Sequence, residues 1–282
     1  MIEVYRLEDL LKKYGIDTNK ILSKNNKILD RGEYQDIDRT LNYLINEVGI
    51  SPRNIEKCPS IMYYAIDNIR GNYEFLIKQG VNISSIETAL HILNTEPKIL
   101  KETYYYVLDN YGNEYINSST TILKVPVDRV IAIEKILSDK SLILSAACSW
   151  NSVDEIEKII KICKKYNIPI TGSIFHRTAD ELEKSIDYVK STYGNAYLKP
   201  LIVNKNVEYL KVVLPYLESL NVLPVVIKSA SILTLTLDEI MERKEYIESI
   251  GEKLVLSNGR FNSIFGMTRA NYRKLIGRTR CI

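Results

Sequence analysis

Nine four-residue segments of one type recur along the 282-residue chain, and their spacing constrains the fold more than any other feature. Each segment ends in two adjacent apolar residues, as in Pro59-Ser60-Ile61-Met62. Their first residues lie 33, 38, 23, 21, 31, 28, 30 and 32 positions apart. A repeat of about 20 to 50 residues is typical of proteins built from stacked units, since no single unit can bury its apolar face alone. The nine segments begin at Asn26, Pro59, Pro97, Thr120, Ser141, Gly172, Pro200, Ala230 and Asn262.

Predicted helix starts follow a similar period. In a capping box, a Ser or Thr precedes a Glu by three positions, and the pair satisfies free N–H groups at the start of a helix. Such boxes begin at Ser152, Thr178 and Thr236. The first two are 26 residues apart, and the next gap of 58 has Asn206 near its middle. Apolar residues at helical spacing follow each box, so each box opens a predicted helix.

One complete unit surrounds Pro59. A short helix is predicted from Pro52 to position 57 or 58. Proline suits the first helical position because it gives up no hydrogen bond there. Pro59 then breaks the helix and begins a single 3₁₀ turn that buries Ile61-Met62. We call such a segment, with its buried apolar pair, an apolar turn. A longer helix is predicted over 65–78, ending before Gly80.

These patterns predict an all-α fold. We expect an α-solenoid superhelix of about nine helix-turn-helix repeats, each of ~30 residues. The whole chain, 1–282, is predicted to be a single helical-repeat domain, with a basic C-terminal cap repeat over 251–282.

The stretch GISPRNIEKCPSIMYYAIDNIRGNYEFLIKQGV, residues 49–81, resembles one repeat of the mitochondrial transcription termination factor (mTERF) family. The shared features are a Gly-apolar-Ser-Pro opening, a Pro-x-apolar-apolar turn, and a second helix that ends in apolar-Leu-x-x-x-Gly-apolar. Residues 220–254 are similar to a second copy, with Ala230 where the family has proline. NGRFNSIFGMTRANYRKLIG resembles a terminal copy. The similarity covers most of the chain, and it is clear in three repeats and loose in the others.

The resemblance implies a curved superhelix that binds nucleic acid along a basic concave groove. Family members act in organellar transcription termination, ribosome assembly or RNA processing, so it implies a role in transcription or RNA metabolism. Two features differ from the family: the N-terminus MIEVYRLEDLLKKYG does not read as an organelle-targeting segment, and most of the chain is slightly acidic. A bacterial relative of the family, or a repeat protein that has lost the groove, fits these differences.

Positive charge is concentrated at the C-terminal end. Residues 260–282 hold six basic side chains and no acid, while residues 1–259 carry a net charge of −3. Such clustering points to an anionic partner, and a solvated, frayed tail is the alternative. The predicted nucleic-acid contacts in this cluster are Arg260, Arg269, Arg273, Lys274, Arg278 and Arg280.

Basic residues also recur around the predicted apolar turns. If the turns line a groove, these residues are further candidates for contacts with backbone phosphates. A solvated surface is the alternative for them. The candidates are Arg129, Arg177, Lys199 and Lys228.

The aromatic residues and histidines are predicted to have structural roles. The stretch ETYYYVLDNYG holds four tyrosines at helical spacing, so some of them must face the core. Trp150 precedes a capping box and is expected to staple that helix rather than bind a ligand. His91 and His176 are each distant in sequence from any Cys or acidic cluster.

The usual motifs of enzymes and metal sites are missing. The sequence has no GxGxxG, GxxxxGK[ST], HExxH or GxSxG motif. The four cysteines include no CxxC pair, which indicates reduced thiols rather than a zinc or disulfide framework. We therefore predict no enzymatic activity, no cofactor and no bound metal.

No sequence feature indicates a membrane or an export signal. No apolar run reaches the roughly 20 residues that span a bilayer, and the N-terminus lacks the layout of a signal peptide. We expect a cytoplasmic protein, or an organellar one if a targeting segment has been removed. The predicted function is backbone-directed binding of DNA or RNA. The alternative is an α-solenoid that serves as a protein–protein interaction scaffold.

Overall fold

The computed structural model describes residues 7–22, 34–228, 230–256, 261–265 and 267–279. Within these ranges the regular structure is helical, and an isolated β-bridge joins Val255 to Phe261. The predicted all-α fold is therefore confirmed for the described residues. By contacts the chain divides into two compact units, Met1–Cys148 and Ser149–Ile282. The prediction that 1–282 is a single domain stays a prediction.

The first unit alternates short and long helices. Its α-helices are α1 Leu7–Lys13, α2 Thr18–Leu22, α3 Tyr34–Asn42, α4 Pro52–Lys57, α5 Ile66–Lys78, α6 Ile83–Thr88, α7 Pro97–Tyr111, α8 Asn113–Ser118, α9 Val127–Glu134 and α10 Lys140–Ala147. A π-helical segment, Tyr43–Glu47, continues α3. Three 3₁₀ segments separate short from long helices, at Pro59–Tyr63, Leu90–Asn94 and Thr120–Lys124.

The second unit has the same alternation. Its α-helices are α11 Val153–Lys165, α12 Ala179–Tyr193, α13 Pro200–Val203, α14 Val207–Ser219, α15 Leu223–Lys228, α16 Leu237–Ser249 and α17 Arg269–Thr279. Its 3₁₀ segments are Gly172–His176, Asn195–Tyr197 and Ala230–Thr234. No helix of the described residues is both long and apolar enough to cross a membrane.

The helix-turn-helix segment around Pro59 forms as predicted. Helix α4 has proline at its first position, and the five-residue 3₁₀ turn begins at Pro59. Its apolar pair Ile61-Met62 is buried, with at most 1% of either side chain exposed. Helix α5 follows and ends before Gly80, whose φ of +79° is favourable only for a residue without a side chain. Pro59 thus separates the two helices and begins the turn that places the apolar pair in the core.

The same apolar turn recurs in both units. In each of them two adjacent apolar residues are fully or almost fully buried. Most are 3₁₀ segments, and Pro200–Val203 is a single α-helical turn. The recurring buried pairs are Ile61-Met62, Ile92-Leu93, Ile122-Leu123, Ile174-Phe175, Ile202-Val203 and Ile232-Leu233.

The structure differs from the prediction at two of the segments. Pro97 does not begin an apolar turn, because it occupies the first position of the long helix α7. The turn lies seven residues earlier, at Leu90–Asn94. With this correction the first three buried pairs begin at 61, 92 and 122, so the spacings of 38 and 23 become 31 and 30.

The segment beginning at Ser141 also differs from the prediction. It lies inside helix α10, which buries Ile143, Ala146 and Ala147. Here the short helix and the apolar turn are merged into one helix, and Ala146-Ala147 takes the place of the buried pair. This explains the short step of 24 residues from Ile122. The segment at Asn26 lies outside the described residues, and Ile264-Phe265 near the C-terminus has only its second residue buried.

A side chain from earlier in the chain holds the end of five of these six turns, and in four of the five it lies on the preceding long helix. In the first unit the Asn72 amide donates to the carbonyl oxygens of Leu93 and Thr95, at 3.0 and 2.7 Å. The Thr103 hydroxyl donates to the carbonyl of Val125 at 2.6 Å. We call this contact, from a side-chain donor to the carbonyls that end the next turn, a carbonyl tether.

The second unit uses the same contact with other donors. The Asn151 amide donates to the carbonyls of Phe175 and Arg177, at 2.8 and 2.6 Å. The Ser185 hydroxyl donates to the Lys205 carbonyl at 2.8 Å, and the Tyr209 hydroxyl donates to the Leu235 carbonyl at 2.6 Å. Carbonyls at the end of a helical turn have no partner within it, and burying them unsatisfied is costly.

The capping boxes form in two of the three predicted places. Thr178 and Thr236 each make the reciprocal pair of bonds with the Glu three residues later. At Ser152 only the hydroxyl half forms. The carboxylate of Glu155 accepts instead from the backbone N–H of Ala179 at 2.6 Å, so it caps the next helix, α12.

We expect Thr103→Val to reduce the free energy of unfolding by about 1–3 kcal/mol, because the isosteric valine leaves the buried Val125 carbonyl without a donor. Thr103 is fully buried, so water cannot replace the lost bond. Thr88→Val is the matched control, since the exposed Thr88 hydroxyl donates to the Ser85 carbonyl and that bond is accessible to solvent. Urea unfolding of both variants measures the difference. Equal stabilities of the two variants would contradict the tether.

Candidate nucleic-acid interface

A bidentate ion pair between Arg269 and Glu239 joins the C-terminal helix α17 to α16. The Arg269 guanidinium contacts Glu239 through Nε to Oε1 at 2.5 Å and through a terminal nitrogen to Oε2 at 2.8 Å. Glu239 also accepts from the backbone N–H of Thr236 in the capping box. Bidentate arginine–carboxylate pairs are among the stronger polar contacts in proteins. Arg269, predicted to contact phosphate, therefore has a docking partner within the fold.

The electrostatics of Glu239 reflect this pair. The hydrogen bond from Arg269 is the main cause that lowers the pKa of Glu239 from its usual 4.5 to about 2, and the Thr236 N–H adds to it. Since both groups stay ionised near neutral pH, the pair holds α17 over the physiological range.

A second arginine, which the sequence reasoning missed, fixes the segment before α17. Arg243 on α16 is only 1% exposed. Its guanidinium donates to the carbonyls of Phe265 and Met267, and its central carbon lies 4.7 Å from the ring centroid of Tyr272. Burial lowers the pKa of Arg243. Arg243 is thus the carbonyl tether of the last turn, and no pattern in the sequence distinguishes it from a surface arginine.

The outer side of α17 carries basic side chains. Arg273 and Lys274 are exposed, and neither forms an ion pair with any described residue. The stretch Arg269–Thr279 contains no acid. The structure therefore presents two adjacent cations on a helix that Arg243 and Arg269 hold in place. Four other predicted contacts lie outside the residues or side chains that the structure describes: Arg260, Arg278, Arg280 and Lys228.

Two dispersed candidates have roles inside the fold. Arg129 donates to the carbonyls of Ala147 and Ala146, at 3.0 and 3.4 Å, and burial lowers its pKa. It is the carbonyl tether for the end of α10. The Arg177 side chain is 15% exposed, and its Nε lies 3.5 Å from a carboxylate oxygen of Glu181. Both arginines thus make polar contacts within the fold. The remaining candidate, Lys199, is exposed at the start of α13.

The tyrosine-rich stretch packs as its spacing indicated. Tyr104 is 1% exposed and lies edge-to-face with Phe75, with ring centroids 5.4 Å apart. The hydroxyls of Tyr106 and Tyr111 both donate to the carboxylate of Glu134. These hydrogen bonds join α7 to α9.

The prediction for Trp150 is wrong. Its side chain is 87% exposed, so it does not staple a helix, and its described ring contact is with His176, at 6.3 Å between centroids. His91, in contrast, is half-buried, and burial, followed by the charge of Lys124, lowers its pKa. Within the described residues no group of three His, Cys, Asp or Glu side chains is placed to hold a metal ion.

No family model matches the chain, and the comparison with curated proteins finds no match. The resemblance of residues 49–81 to an mTERF repeat therefore stays a prediction. What α17 can bind is therefore inferred from the geometry and charge of its own residues.

Arg269→Ala is expected to raise the pKa of Glu239 from about 2 toward 4.5. A lowered pKa in the folded state adds stability that is present above pH 4.5 and is lost as the pH falls toward 2. The variant should therefore lose this part of the acid dependence of its unfolding free energy. Carboxyl NMR titration measures the pKa directly.

Arg273→Ala is the matched control for this titration. It removes the same charge from the same helix without touching Glu239, so the pKa of Glu239 should stay near its original value. If both variants shifted the Glu239 pKa equally, the ion pair with Arg269 would not be the cause.

Proposed function

We propose that the protein is a non-enzymatic helical-repeat protein that binds DNA or RNA through its sugar-phosphate backbone. The observation that carries the proposal is that Arg273 and Lys274 on α17 are exposed and form no ion pair with described residues. Helix α17 contains no acidic residue and is joined to α16 by Arg269. Arginine and lysine that neutralise phosphates supply most of the sequence-independent affinity for nucleic acids. Lys199 is a further exposed cation of the second unit.

The fold supports the repeat part of the proposal. We infer that each unit is an array of loop-helix-turn-helix repeats of the mTERF-like type, as in an α-solenoid. The corrected spacing of the apolar turns and the recurrence of the carbonyl tether support this, because both follow the same period of about thirty residues. The proposed processes are regulation of transcription or RNA metabolism in the cytoplasm, as the resemblance implies.

The proposed interface contains fewer basic residues than the sequence predicted. Arg129, Arg177 and Arg269 make contacts inside the fold. We therefore propose that they shape the interface and that Arg273 and Lys274 contact the phosphates.

A protein-interaction scaffold remains the second candidate, and exposed apolar side chains favour it. In the second unit Leu201 is 55% exposed and Val212 is 52% exposed. Isolated exposed apolar residues are common on protein surfaces, so they support a scaffold less strongly than Arg273 and Lys274 support nucleic-acid binding.

Replacing both Arg273 and Lys274 by Ala should weaken binding to duplex DNA and to structured RNA alike. Log affinity for duplex DNA falls with log salt, and each lost phosphate contact makes this negative slope shallower by about 0.9. We therefore expect the magnitude of the slope to decrease by about 1 to 2. Fluorescence anisotropy of labelled nucleic acids at several salt concentrations measures both quantities.

The double variant Lys184→Ala, Lys211→Ala is the matched control. It also removes two positive charges from the second unit, but these lysines are paired with Asp180 and Glu208, at 2.6 and 2.9 Å. Equal weakening in both double variants would show that net charge alone matters. Wild-type binding that is weak and independent of salt would contradict the function itself.

A further inference from the structure

Trp150 is the most exposed large apolar side chain of the described residues, and it is the only tryptophan in the chain. Tryptophan is normally highly buried, since its large ring gains much from leaving water. Here 87% of the side chain is exposed. The fold therefore gains little from this ring.

An interruption of the repeat creates this exposure. At six other apolar turns the N-cap of the next helix lies three residues after the buried pair, as Thr178 lies after Phe175. After Ala146-Ala147 the N-cap is Ser152, five residues on. The connection is thus two residues longer here, and it contains Trp150 and Asn151. The six regular N-caps are Ala65, Glu96, Pro126, Thr178, Asn206 and Thr236.

The inserted segment is held firmly on both sides of the indole. Asn151 is 9% exposed and makes the carbonyl tether to Phe175 and Arg177. Ser149 is 7% exposed. Because its two neighbours in sequence are anchored, Trp150 is presented from a fixed backbone, so binding costs little backbone entropy.

The surroundings of the indole fit a polar aromatic ligand. His176 lies edge-on to it, with an interplanar angle of 67°, and the exposed surface leaves the indole face open. An open, solvated π-face suits a nucleobase better than it suits an apolar peptide side chain, which needs a desolvated pocket.

We propose that Trp150 is a stacking platform for an unpaired nucleobase of a single-stranded nucleic acid. This inference rests on the proposed function, because the phosphates of the strand supply the electrostatic affinity. Stacking on an aromatic ring tolerates any base, since every base has a π-face. A paired base within a duplex does not offer its face, so the platform gives a preference for single strands.

The single tryptophan allows a direct measurement in the full-length protein. A short oligouridylate should quench the fluorescence of Trp150 on binding. An abasic phosphodiester of the same length should bind by charge alone and leave the fluorescence unchanged.

Variants give the energetic test by anisotropy of labelled strands. Trp150→Ala should weaken binding of the oligouridylate by about 5- to 150-fold, the range found when stacking aromatics are truncated, and should leave the affinity for the abasic strand unchanged. Trp150→Phe should retain most of the affinity. Leu201→Ala is the control, since it removes another exposed apolar side chain of the same unit.

The outcomes separate the two proposals. If the wild type binds both strands equally, without quenching, and Trp150→Ala changes nothing, the platform is wrong while phosphate binding stands. If the wild type binds neither strand but binds duplex DNA with a salt dependence, the platform is wrong while the proposed function stands. If it binds none of these nucleic acids, both are wrong. Quenching by the base-containing strand, together with selective loss in Trp150→Ala, supports both.

Discussion

The fold depends on satisfying the carbonyl groups that end each apolar turn. A 3₁₀ turn carries its apolar pair into the core, and its last carbonyls are buried with it. Where burial shields these carbonyls from water, a side chain from earlier in the chain supplies the hydrogen bond. The donor is an amide at Asn72, a hydroxyl at Thr103 and a guanidinium at Arg243. Both the chemistry and the position of the donor vary, since Thr103 lies within a helix and Asn151 lies before one. The tether therefore leaves no motif in the sequence.

Much of the local structure could be predicted from the sequence, and the errors have physical reasons. Proline is favourable both at the first position of a helix and at the start of a turn, so Pro59 and Pro97 look alike although only Pro59 begins an apolar turn. Both are followed by an apolar pair, and only the burial of Ile92-Leu93 shows where the turn lies. Capping boxes were located by pattern, but the carboxylate of Glu155 could be assigned to the next helix only from the three-dimensional contact.

The candidate site was predictable as a region and not residue by residue. Arg269 and Arg273 are four positions apart and share a helix, yet only Arg269 meets a carboxylate, and that carboxylate is thirty residues earlier in the chain. Long-range pairing of this kind has no local signal. Trp150 shows the opposite error: its position before a capping box suggested packing, whereas its ring is 87% exposed in a connection two residues longer than the others.

The direction of the tethers has a consequence for how the chain is made. In each of them the donor precedes its acceptors, as Asn72 precedes Leu93 and Tyr209 precedes Leu235. During synthesis from the N-terminus, a nascent helix therefore already displays its donor when the following segment leaves the ribosome. Each newly emerged turn can therefore bond to a donor that has already been synthesised, which suits folding from the N-terminus onward.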